Sequence, residues 1–197
     1  IHPEEPENLD VAGLLKGIYL YSPAKNQSKK SAQILASGVG VNWALKAQIL
    51  LREDWGVEAS VWSVTSWNEL RRDGLKTDRH NLLNPGDTRS AYIDSKLFGH
   101  NGPVIAVSDY MRSVQDQIAP WISAPFISLG TDGFGLSDTR GALRRHFKVD
   151  AESIAITTLQ ELEKLGHIKF SVVKAAMEKY RIDDISAADA GNTEGSG

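Results

Sequence analysis

The chain has 197 residues, 41% hydrophobic and 24% charged, with a formal net charge of -3. That suits one soluble domain with appended segments and gives no electrostatic case for nucleic acid binding. Cysteine is absent, so disulfides, a thiolate nucleophile and Cys-ligated metals are excluded, in keeping with a cytoplasmic location. No apolar run approaches the roughly 20 residues that span a bilayer, so no membrane is expected as a partner.

Residues 1–10 read as a linker: two prolines and four acidic residues (Glu4, Glu5, Glu7, Asp10) leave little to build a core. The opening at Ile1, without an initiator methionine, reads as a piece of a longer polypeptide. Val11 to Lys16 makes a helical turn that Gly17 ends. Ile18–Tyr21 and Gln33–Ser37 are β-prone and flank a polar stretch, Pro23 to Lys30. An antiparallel hairpin with a long loop is expected there.

Gly38 and Gly40 then open a helix that carries Trp43, Ala47, Leu50 and Leu51 on one face and stops at Gly56. Residues 57–64 alternate as a strand. Thr65 or Ser66 caps the next helix, which contains Trp67 and Leu70, and Asn84-Pro85-Gly86-Asp87 breaks the chain. Gly102-Pro103 opens Val104–Val107, apolar enough for a buried parallel strand. Ser108 or Asp109 is expected to cap a helix running to about Trp121. Phe126–Leu129 is another strand, followed by a loop from Gly130 to Ser137 and a helix from Thr139 to Phe147. Asp150 caps a helix closed by Gly166, and Ser171 caps a last one through Tyr180. Asp183 to Gly197 reads as a flexible tail.

Alternating strands and helices predict an α/β domain. The expected fold is three-layered: a mostly parallel five-stranded sheet with one antiparallel strand and helices on both faces. The domain should span 18–182, preceded by a linker and short helix over 1–17 and followed by a tail over 183–197.

Gly38-Val39-Gly40-Val41-Asn42-Trp43 resembles half of a dinucleotide fingerprint. Trp43 replaces the third glycine, and the next strand ends in Ser63-Val64-Thr65 with no acid for a ribose hydroxyl. A tight strand-to-helix turn is the favoured reading. Thr131, Asp132, Gly133, Phe134, Gly135 and Asp138 mark the most distinctive loop. Its glycines permit positive φ, at one of them at least, while the alternate oxygen ligands and distal Glu of a calcium loop are missing. Turn-making there, with Ser137 or Asp138 capping the next helix, is expected. Arg140, Arg144, Arg145 and His146 share that helix and read as a solvated face; Leu143 and Phe147 should face the core. The five histidines lack helical metal-site spacing. Gly-x-Ser-x-Gly and phosphate-loop motifs are absent.

Several runs together are similar to one family. They are Leu15-Lys16-Gly17-Ile18-Tyr19, Ile34-Leu35-Ala36-Ser37-Gly38, Ser60-Val61-Trp62-Ser63-Val64-Thr65-Ser66-Trp67-Asn68-Glu69-Leu70-Arg71-Arg72-Asp73-Gly74, Ser108-Asp109-Tyr110-Met111, Leu129 to Asp138, and Leu143 to Ala151. In this order they resemble the C-terminal domain of the homodimeric-type pyruvate dehydrogenase decarboxylating subunit, with a looser likeness to transketolases. The resemblance implies a parent enzyme of three α/β domains. The first two would bind thiamine diphosphate and magnesium, and the third, matched here, would be mainly structural. It also implies as partners the preceding domains, a second subunit and an acetyltransferase core. The cofactor signature of that class, Gly-Asp-Gly followed by Asn-Asn, is missing: Thr131-Asp132-Gly133 lacks its first glycine. No catalytic, cofactor-binding or metal-binding residue is therefore assigned in this chain. Trp67, Trp121, Arg140 and Arg144 are candidate interface residues, since a domain of a larger protein should expose an apolar patch its neighbours cover. The alternatives are a free-standing α/β binding or regulatory module and a small dinucleotide-dependent enzyme.

Overall fold

The structure, a computed structural model, describes residue 6 and residues 8–189. The linker expectation for residues 1–5 and 7, and the tail expectation for 190–197, lie outside the described residues. The expected architecture is present. Five strands, β1 (Ile18–Ser22), β2 (Ser31–Ala36), β3 (Glu58–Val64), β4 (Val104–Met111) and β5 (Phe126–Thr131), form one sheet in the order β1-β3-β2-β4-β5. Only the β1–β3 pair is antiparallel.

Strand alternation sorts the core into two layers. Ile34, Val61, Ile105 and Val107 point to one face, where α2 (Gly40–Trp55), α7 (Ala151–Lys164) and α8 (Phe170–Lys179) cover them. Leu35, Trp62, Val104 and Ala106 point to the other, against Trp67 and Leu70 of α3 (Trp67–Leu83) and Ile93 and Leu97 of α4 (Tyr92–Leu97). Every residue of β2 is buried, as expected for a central parallel strand. Gln33 and Trp62, both buried, are paired: Trp62 Nε1 donates to Gln33 Oε1 at 2.9 Å, and Gln33 Nε2 donates to the Asn101 carbonyl at 3.0 Å.

Sequence signals account for the element ends. Gly17 (φ 105) and Gly56 (φ 62) close α1 (Val11–Lys16) and α2 in the left-handed conformation. Ser66 caps α3 by accepting from Glu69 N, and Asp150 caps α7 by accepting from Ser153 N. Among the described residues no helix is long and apolar enough to cross a membrane.

Five expectations are corrected. β1 and β2 do not form a hairpin. Both edges of β2 are taken, by β3 and β4, which leaves β1 the outer edge of β3. Ser108 and Asp109 do not cap a helix. β4 continues to Met111, which pairs with Thr131, and α5 covers only Arg112–Asp116 before a 3-10 turn at Ala119–Trp121. Pro120 disfavours a continuous helix through that stretch. Helix α4 falls where no helix was expected; its signal is the Ile93/Leu97 pair four residues apart, with Asp73 Oδ2 accepting from Tyr92 N at 2.6 Å. Ser171 lies inside α8, whose N-cap is Lys169. Within the expected tail, Ile185–Asp189 form a 3-10 helix seated against α6 (Arg140–His146).

Candidate functional site

The sheet has one topological switch point. From β2 the chain crosses to β3 on one side, then returns past β2 to β4 on the other. Ligands of open α/β sheets bind beyond the strand C-termini at such a point. Here a cleft of about 630 Å³ lies there, lined by Ser37, Gly38, Ser63, Thr65, Trp67 and Tyr110 among others. Trp67 is only 4% exposed and its Nε1 donates to Ser37 Oγ at 3.1 Å. The cleft's side chains are hydroxyls, an amide and apolar groups. None is a charged group that could compensate a phosphate.

The Gly38–Trp43 turn bears out the favoured reading. Gly38 has φ 55, the left-handed backbone of the turn, and a Cβ on Gly40 would stand 3.3 Å from the Val107 carbonyl oxygen, so Gly40 serves close approach of turn and sheet. The first N–H groups of α2 are committed: Gly40 N, Val41 N and Asn42 N donate to Ser37, Gly38 and Val39 carbonyls at 3.0, 3.3 and 3.2 Å. A pyrophosphate would find few free donors there. Trp43 is buried, with Lys46 Nζ and Arg144 Cζ each 4.3 Å from its ring.

The Thr131–Asp138 loop leaves the same end of the sheet. Thr131 Oγ1 donates to the Asp109 carbonyl at 3.3 Å, and Asp132 lies 3.7 Å from Arg112 Nη1. Phe134 is 95% exposed. Gly133 has φ 85, the left-handed backbone expected of this loop, and a Cβ there would meet nothing within 4 Å. The α6 cap is one residue later than expected. Thr139 Oγ1 accepts from Ala142 N, while Asp138 Oδ1 accepts from Thr139 N at 2.7 Å. Gly133→Val should therefore cost about 1 kcal/mol through backbone strain alone. Gly135 is not in the left-handed region and has open space, so Gly135→Val should melt with the parent. Thermal unfolding of the two variants checks this, and equal melting of all three proteins would show the loop to be undemanding.

Helix α6 is not one solvated face. Its buried positions are Gly141, Ala142 and Arg145, while Leu143 and Phe147 are only half-buried and join neither core layer. Arg145, with a side chain 3% exposed, pairs through Nε with Asp150 and through Nη2 with Glu152 at 3.5 Å. Its Nη1 donates to the Tyr180 and Arg181 carbonyls, each at 3.3 Å. Burial first, and then the Asp150 carboxylate beside it, raises the Glu152 carboxyl above its ordinary pKa. Nearby, Tyr180 Oη donates to Asp54 Oδ2 at 2.7 Å and accepts from Trp55 Nε1 at 2.8 Å. Burial, and then this bond to Asp54, pushes the phenol far above its usual range.

Of the candidate interface residues, Trp67 is enclosed by this chain. Trp121 is half-buried, its Nε1 donating to Asp78 Oδ1 at 3.0 Å and its ring lying over Gly74 of α3. Arg140 is exposed and Arg144 half-buried. A second cleft of about 630 Å³ runs along edge strand β5, between Ile127, Leu129, Ile156 and Met177, rimmed by Arg112, Lys148 and Glu161.

Residues 17–150 match the model of the transketolase-like TK C-terminal domain. The chain belongs to this family. It is 55% identical, over 94% of its length, to the pyruvate dehydrogenase E1 component of Mycolicibacterium smegmatis, of which it covers 20%. To the same component of Mycobacterium tuberculosis it is 49% identical over 98% of its length, covering 21% of that protein, and to that of Escherichia coli 40% over 92%, covering 20%. The chain thus spans about a fifth of the length of the curated relatives it matches. Among solved structures, transketolase from Leishmania mexicana superposes with a TM-score of 0.53 at 19% identity, over 82% of this chain and 20% of that one. A split-gene transketolase, an inactive beta4 tetramer, gives 0.52 at 15% identity over 75% of this chain and 43% of that one. These two likenesses speak to fold.

Proposed function

We propose that the chain is the non-catalytic C-terminal domain of a cytoplasmic, homodimeric, thiamine-diphosphate-dependent pyruvate dehydrogenase. That parent would decarboxylate pyruvate and pass the acetyl unit reductively to a lipoyl group on an acetyltransferase core. This domain would support the preceding domains and the dimer. The observation that carries the reading is identity of 40–55% to pyruvate dehydrogenase E1 components over nearly the whole chain.

The residues present do not fit thiamine diphosphate with magnesium. Magnesium needs a near-octahedral set of oxygen ligands. Asp132, in the segment nearest to the cofactor signature, is exposed and faces Arg112. Among the described residues no group of three or more His, Cys, Asp or Glu side chains could hold a metal ion. The cofactor and magnesium therefore belong to the other domains of the parent in this reading, and no chemical step runs through this chain. Calorimetric titration of the chain with thiamine diphosphate and magnesium should give no saturable heat; tight, stoichiometric, magnesium-dependent binding would overturn the proposal.

A further inference from the structure

The switch-point cleft selects for one kind of ligand chemistry. Three strands end around it: Ser63 and Val64 close β3, Ser37 follows β2, and Tyr110 stands near the end of β4. Trp67 and Asn68, which open α3, and Val114 of α5 complete its walls. Its volume of about 630 Å³ lies within the range of small-molecule pockets.

The polar side chains of the cleft fall into two groups. Thr65 and Ser66 serve the fold: Thr65 Oγ1 donates to the Leu14 carbonyl at 2.6 Å, and Ser66 Oγ accepts from Glu69 N at 3.2 Å. The others are uncommitted. Ser37 is only 5% exposed; its Oγ accepts from Trp67 Nε1, but its own O–H meets no acceptor among the described residues. The side chains of half-buried Ser63 and of exposed Asn68 and Tyr110 make no hydrogen bond among the described residues. A buried hydroxyl with an unused donor is a group that a ligand can satisfy.

Charge narrows the class. The lining side chains are uncharged. Beside them a carboxylate, that of Asp109, approaches Gly38: a Cβ on Gly38 would lie 4.0 Å from its Oδ1. With the first N–H groups of α2 already bonded, a phosphate or carboxylate finds no welcome here. Val64, Trp67 and Val114 supply apolar surface, and Tyr110 supplies an exposed aromatic ring.

We propose that this cleft binds an uncharged planar heterocycle, a nucleobase or its nucleoside, with the ring against Tyr110 and its polar edge on Ser37, Ser63 and Asn68. A monosaccharide fits less well, because hydroxyls all round its ring would outnumber these partners and meet Val64 and Val114 unpaired. Such a site is built from this chain's residues alone and stands whatever reaction the parent performs.

The test uses the full-length protein with its cofactors bound, and saturation-transfer NMR with adenine, adenosine, uridine, adenosine monophosphate and glucose as probes. Saturable binding of at least one of the three neutral heterocycles is expected, with adenosine monophosphate no tighter than adenosine and no saturable signal from glucose. Tyr110→Ala should weaken binding about tenfold, the scale of stacking a base on an aromatic ring, while Tyr110→Phe should keep it. Asn68→Ala should weaken it as well. Both positions are exposed, so these variants should melt like the parent. Phe98→Ala, an exposed ring outside the cleft, should bind as the parent does. No saturable binding of any neutral heterocycle would overturn the proposal. So would binding that the Tyr110→Ala and Asn68→Ala variants leave unchanged, since the ligand would then sit elsewhere. Tighter binding of adenosine monophosphate than of adenosine, lost in the same variants, would refute the uncharged class, and binding of glucose alone would refute the heterocycle.

Discussion

Arg145→Met should lower stability by about 3–5 kcal/mol, the scale of breaking a buried ion pair on one side. In a domain of this size that is on the order of 10 °C in Tm. The argument begins with geometry. Arg145 closes α6, Asp150 caps α7, and the carbonyls of Tyr180 and Arg181 follow α8, so one guanidinium ties three helices together. Methionine keeps the aliphatic bulk but leaves a buried carboxylate and two carbonyls without their donor, and that desolvation cost dominates. Adding Asp150→Asn, which keeps an oxygen for the Ser153 N–H while removing the charge, should recover part of the loss. Arg140→Ala, on the exposed side of the same helix, should stay within about 0.5 kcal/mol of the parent. Urea unfolding of the four proteins measures this. If the Arg145 and Arg140 variants unfold together, the cluster does not hold the C-terminal helices.

That cluster shows what the sequence could and could not disclose. The face of α6 that turns inward carries Gly141 and Ala142, small residues where helix meets core, and Arg145 stands on the same face four residues after Gly141. The signal was present, but a seven-residue helix with four basic side chains in a row of seven positions reads first as solvated. Periodicity and end signals were enough for the elements around the switch point, because Gly17, Gly56, Ser66 and Asp150 act on their own neighbours. Pairing was not legible in the same way. Whether β1 lies beside β2 or β3 depends on which edges of a fully buried strand other segments claim, and that is a property of the whole sheet. Trp67 and Trp121 looked alike in sequence, each near the end of a helix. One fills the second core layer and the other leans across Gly74 with its indole N–H on Asp78, a difference set by where α3 passes. Tyr110 and Phe134 were legible as motif and loop but not as surface. Tyr110 stands on the exposed last part of β4, which runs on past Val107 to Met111.

Gly102→Ala should be as damaging as the loss of Arg145, for a wholly steric reason. Gly102 has φ 90, a backbone that side chains with a Cβ rarely adopt. An added Cβ would lie 1.6 Å from the Ser31 carbonyl oxygen and 2.6 Å from its carbon. Neither atom belongs to a flexible side chain. Ser31 opens β2, and the turn at Gly102 sets the start of β4, where Gln33 N donates to the Pro103 carbonyl at 2.9 Å. To admit one methyl group, β2 and β4 must part at the point where their register begins. Gln33, whose side chain links the Asn101 carbonyl to Trp62, would move with them. Strain of about 1–3 kcal/mol for the left-handed backbone and a similar amount for overpacking give an expected loss of roughly 3–5 kcal/mol. Gly133 supplies the comparison, because it shares the left-handed backbone at φ 85 but has open space around it. The small alanine at 102 should therefore cost several times more than the larger valine at 133, even though a β-branched side chain is the harder of the two to seat in the left-handed region. Chemical denaturation of the two variants side by side decides the matter, and a Gly102→Ala protein as stable as Gly133→Val would mean that the β2–β4 start yields freely.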